Sequence, residues 1–129
     1  MTTIVAPFHV TPRPPAEAPE GEPPSLGRWI FDKVFTGPLE ATSVVEMVSV
    51  GSVEGPLAYV ALERVEGTLE GRRGVFVLQH VGAMSDGRST LELTVVPRSG
   101  TGELAGLSGR GTIAHTDAGA HLELDYALD

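Results

Sequence analysis

YVALERVEGTLEGRRGVFVLQHVG, residues 59–82, reads as two strands folded back on each other. Apolar and charged residues alternate up to Glu70, and a second apolar run follows Arg73. A period of two is the mark of a strand with one buried face. The glycine-flanked pair Arg72 and Arg73 suits a solvated hairpin tip. If Gly71-Arg72 is a two-residue loop, Glu70 faces Arg73 and Glu63 faces His80, because loop length sets register.

The same pattern extends in both directions. Strands are expected near 2–11, 26–36, 39–51, 57–70, 73–82, 89–97, 109–116 and 120–128. Gly37-Pro38, Glu54-Gly55, Gly71-Arg72, Ser85-Asp86-Gly87, a glycine-rich stretch and Ala118-Gly119 separate them. Between 103 and 107 there is room for one helical turn at most. Eight antiparallel strands with short connections predict an all-β, calycin-like up-and-down barrel, a closure that leaves no exposed sheet edge. A two-sheet sandwich is the alternative. The chain, 129 residues long, is expected to form one domain over 1–129. RPPAEAPEGEPP, residues 13–24, is too rich in proline and glutamate to join the ladder; it reads as a solvated connector or a flap over the barrel mouth.

Composition narrows the function classes. A net charge of −8 opposes nucleic-acid binding, which needs a cationic face. No apolar run is long enough to span a bilayer as a helix, so no membrane partner is expected. MTTIVAPFHV, residues 1–10, lacks the basic and apolar regions of a secretory signal. The absence of cysteine excludes disulfides and thiolate chemistry and fits a reducing cytoplasm.

Three two-residue loops in succession would align Trp29, Glu46, Glu63 and His80 across four neighbouring strands. One bulge, for which Gly67 is a candidate, would break the row. Leu91, Leu93 and Val95 alternate with Thr90, Glu92 and Thr94, so the leucines point inward and share a face with Phe76, Leu78 and His80. Leu122, Leu124 and Tyr126 alternate with His121, Glu123 and Asp125 in the same way. Trp29, Phe31 and Phe35 form an aromatic face with Lys33 among them. The expected interior is therefore apolar, with Lys33, Glu46, Glu63 and His80 set into it. Two facing carboxylates in such a place would raise a pKa unless a cation balanced them. One reading is a satisfied structural network; the other is a ligand or acid–base site.

Other constellations carry less. Gly100, Gly102 and Gly106 do not have dinucleotide-binding spacing, and no lysine–threonine pair marks a phosphate loop, so no cofactor is expected. His115 and His121 flank the last hairpin on opposite faces without a third ligand, so no metal is expected.

Three stretches together resemble a bacterial domain-of-unknown-function family, number 3224: FDKVFTGPLEATSVVEM (31–47), residues 59–82 quoted above, and SGTGELAGLSG (99–109). That family is similar to the allene oxide cyclase barrel, whose plant members bind an oxidised fatty acid or, in dirigent proteins, steer radical coupling. The resemblance implies an eight-stranded barrel that assembles into small homo-oligomers, with the glycine-rich stretch as its last crossover; it implies no reaction. Lys33, Glu63, Gly74, Phe76 and His80 fall on the family pattern without an assigned role, and the insert at 13–24 departs from it.

Two functions follow as expectations. In the first, the barrel binds a small apolar molecule, or isomerises or cyclises it. Glu63 and His80 would be the catalytic pair, and Trp29, Phe31, Lys33, Glu46, Phe76 and Tyr126 would line the site. In the second, a filled barrel serves as a structural or interaction protein that self-associates, because strands 39–51 and 73–82 are apolar on both faces.

Overall fold

At Glu70 and Gly71 the chain takes two consecutive positive φ values, 44° and 83°, the geometry of a type I′ hairpin turn. Glycine at the second position meets nothing within 4 Å, so it is there for the backbone angle and not for space. This turn joins Leu69 to Arg72 and closes a hairpin whose pairing runs back to Ala58 and Ala83.

The computed structural model describes residues 1–14, 21–52, 55–85 and 87–128. Eight strands follow one another: β1 (Thr2–Pro12), β2 (Ser25–Phe35), β3 (Leu39–Ser52), β4 (Gly55–Leu69), β5 (Arg72–Ser85), β6 (Arg88–Val95), β7 (Leu107–Thr116) and β8 (Gly119–Leu128). Each pairs antiparallel with the next, and β8 returns to β1, so the sheet closes into a barrel. A 3₁₀ turn at Gly102–Leu104 interrupts the β6–β7 connection. The barrel and its strand order agree with the sequence reading; the sandwich does not occur. Residues 15–20 of the proline-rich insert, and with them the flap reading, lie outside the described residues, as do Glu54 and Asp86 of two turns.

One end of the barrel is filled. Leu39, Leu69, Phe76, Leu78, Leu93, Leu104, Leu122 and Leu124 are almost wholly buried there. The crossover after β6 caps this end by bonding along β5: Val96 N donates to Val77 O (2.8 Å) and Thr101 N to Val75 O (2.8 Å). So close an approach requires Gly74, where a Cβ would lie 2.1 Å from the Thr101 carbonyl oxygen. The glycine-rich stretch is thus a closure device.

Register departs from the turn arithmetic by a single residue at two hairpins and by two residues at the β4–β5 turn. Between β2 and β3, Thr36 does not pair with Leu39. Its N–H instead donates to Pro7 O on β1 (3.0 Å), and the ladder runs Phe35 to Ala41 and Trp29 to Met47. Between β3 and β4 the register shifts at Val50/Gly51, so Val45 faces Glu63. Gly67 pairs regularly with Ala41 and Gly74; the bulge expected there sits at the other end of the hairpin. The displacements at the β2–β3 and β3–β4 hairpins are each one residue, which exchanges the faces of a strand. Two in succession cancel for the strands beyond, so β3 alone is turned over. Glu46 therefore points outward and is exposed, against expectation, while Ala41, Ser43 and Val45 are buried.

Candidate functional site

Halfway along the barrel four polar side chains interrupt the apolar interior: Lys33 from β2, Ser43 from β3, Glu63 from β4 and His80 from β5 are all buried. The β4–β5 turn keeps even parity, so Glu63 and His80 share the inner face as the sequence indicates. The pairing is offset by two: Glu63 faces Leu78, and His80 faces Ala61. The two side chains consequently meet along the diagonal.

Glu63 is the hub. Its Oε1 accepts from Lys33 Nζ at 3.2 Å and lies 2.8 Å from His80 Nε2; its Oε2 accepts from Ser43 Oγ at 2.6 Å. Burial, the largest single influence, pushes its carboxyl pKa up. The His80 hydrogen bond, the Lys33 charge, the Ser43 hydrogen bond and the His80 charge together outweigh it and hold the group below its ordinary value. Glu63 is thus an internal carboxylate. Lys33 gains a second partner, its ammonium standing 4.5 Å from the centroid of the Phe8 ring and 5.9 Å from that of Phe35.

Toward the open end lies a cavity of about 310 Å³. Phe31, Val45, Met47, Tyr59 and Ala61 supply apolar wall, and Lys33 and His80 form its polar floor. Glu63, 0% exposed, sits behind them. In its neutral form, with the carboxylate accepting at Nε2, the imidazole carries its lone pair at Nδ1. Such a ring, oriented by a buried carboxylate beside an apolar space, can take a proton at Nδ1 and return it.

The remaining candidates fall elsewhere. Trp29 is half-buried and donates from Nε1 to Ser49 Oγ (2.9 Å). Phe76 is packed in the filled end. Tyr126 is buried and donates from its hydroxyl to Glu70 Oε1; burial first, then that hydrogen bond and the Glu70 charge, raise its pKa. Neither Phe76 nor Tyr126 lines the cavity. Glu46 is on the outer surface. Ser43 escaped the sequence reading, although Glu40, Thr42 and Glu46 alternate with Ala41, Ser43 and Val45 on its own strand and would have placed it inside. His115 reaches the cavity, whereas His121 has the opposite parity, and its Nδ1 is buried without a hydrogen-bond partner among the described residues. No helix among the described residues is long and apolar enough to cross a membrane, a finding silent about barrels.

These features define a class: a closed eight-stranded barrel with an ion cluster beneath an apolar cavity. The profile described as "Protein of unknown function (DUF3224)" matches residues 4–127, and the chain belongs to that family. A crystal structure of a DUF3224 protein of unknown function from Shewanella oneidensis MR-1 is similar to it at 43% identity and a TM-score of 0.90, over 100% of this chain and 98% of that one. Among curated proteins, none matches.

Proposed function

We propose that the barrel binds a small, largely apolar molecule whose polar end rests on Lys33 and His80. The observation that carries this reading is the cavity of about 310 Å³ over a floor made by an ammonium and an imidazole whose shared carboxylate is hidden behind them. Ligand sites are commonly concave and apolar with a few placed polar groups. An isomerisation or cyclisation of such a ligand would use His80 as the proton carrier and Glu63 as its orienting partner. A cytoplasmic setting belongs to the same reading and is supported by a chain without cysteine. The test is titration with the neutral fluorescent dye N-phenyl-1-naphthylamine. Native protein should bind one equivalent, and Ala61→Phe, which fills the cavity beside His80, should weaken binding at least tenfold. Equal binding by both proteins would refute the site.

One further observation favours assembly with a second copy through the outer face. A cross-strand row runs Arg28, Val48, Val60, Val81, Glu92 from β2 to β6. Its three valines are 39%, 54% and 40% exposed. A two-fold axis through Val60 would lay valine on valine and bring Arg28 of each copy to Glu92 of the other, a self-complementary arrangement. Light scattering should report a dimer that Arg28→Glu dissociates and that Arg28→Glu combined with Glu92→Arg restores. A native monomer at micromolar concentration would exclude it.

A further inference from the structure

β6 and β7 are neighbours in the barrel, yet only two residue pairs join them, Leu93 with Gly111 and Thr94 with Arg110. On its other side β6 stays paired with β5 as far as Arg88, and β7 stays paired with β8 as far as Thr116. Among the described residues, 88–92 and 112–116 thus have no ladder partner across the seam. The two strands part toward the open end and leave a slot in the wall.

The slot lies beside the cavity. A groove of about 430 Å³ lies in it, lined by Met84 and Leu91 on one side and Thr112 on the other. It shares Tyr59, Ile113 and His115 with the cavity above Lys33 and His80. The two spaces therefore lie side by side, with these three side chains at their common border. Backbone groups that face a strand gap normally find partners in the ladder or in water. Here they border a groove in which Met84, Leu91 and Ile113 supply apolar surface.

We propose that the slot between β6 and β7 is the lateral doorway of the cavity, through which an apolar ligand enters and leaves, the part of it that exceeds the cavity lying between Leu91 and Ile113. This rests on the ligand site proposed above. It favours long, narrow apolar molecules over compact ones, because a slot between two strands restricts cross-section and not length.

The chain has no cysteine, so paired cysteines can be placed at will. Thr90 and Ala114 are both exposed, and they would face each other if the register of Leu93 and Gly111 continued. Thr90→Cys with Ala114→Cys, joined by a short cleavable bis-maleimide, bars the slot from outside. Ser108→Cys with Ala127→Cys, joined in the same way across the regular β7–β8 ladder and away from the groove, is the control. Stopped-flow release of N-phenyl-1-naphthylamine should slow at least tenfold in the first bridged protein, recover on cleavage of the linker, and be unchanged in the control. Equal release rates with and without the first bridge would overturn the doorway and leave the ligand site standing. Failure of the native protein to bind the dye would overturn both.

Discussion

Removing the Glu63 carboxylate would leave the Lys33 ammonium buried beside a neutral amide, since both ends of that ion pair are nearly inaccessible. Breaking one side of such a pair costs about 3–5 kcal/mol, while replacing both sides with apolar groups costs far less. Glu63→Gln should therefore lower unfolding free energy by about 3–5 kcal/mol in urea titration. Glu63→Leu combined with Lys33→Met should recover more than half of it; a double variant no better than the single one would show that the pair is not coupled. The same carboxylate sets an acid limit. Its folded pKa lies below its ordinary value of 4.5, so its contribution is fully present above 4.5 and fades as pH falls toward the folded value. Native protein should lose stability through that acid range more steeply than Glu63→Gln, as thermal melts at pH 5 and below would reveal. Parallel slopes would contradict the hub role. Of this cluster Lys33, Glu63 and His80 were legible in the sequence, because each is a lone polar residue on an otherwise apolar face. Ser43 was not, since turn arithmetic had turned its strand over.

At the scale of the element, the hairpins divide by what ends them. The β4–β5 turn needs its glycine for the backbone angle alone; Gly71→Ala should cost about 1 kcal/mol, the strain of an L-residue at positive φ. Gly74 answers to a different segment. A methyl group there would push away the Thr101 carbonyl and with it the cap on the filled end. Gly74→Ala should cost more than Gly71→Ala and should also raise hydrogen exchange at Thr101, whose N–H bonds Val75. Equal costs would contradict the capping role of the crossover. These distinctions explain the register errors. Thr36 abandons its own hairpin for Pro7, and Val50/Gly51 slips within its ladder. Both depend on partners or local geometry that a two-residue loop rule does not contain. Because the two slips cancel, Trp29 and Glu63 kept the face assigned to them, and only Glu46 was misplaced.

Taken whole, the barrel is asymmetric along its axis. One end is sealed by leucines and the glycine-rich crossover, the middle carries the ion cluster, and the other end holds the cavity and the slot. The strand pattern made the closed architecture legible. The cavity was not, because it depends on which inward positions are small, such as Ala61, and on where β6 and β7 part. The central claim is that a ligand sits on the imidazole of His80. Nuclear magnetic resonance of protein carrying ¹⁵N-labelled histidine measures this directly as N-phenyl-1-naphthylamine is added. The His80 ring nitrogens should shift and saturate at one equivalent, in step with dye fluorescence. Dye fluorescence that saturates while the His80 resonances stay fixed would contradict the account.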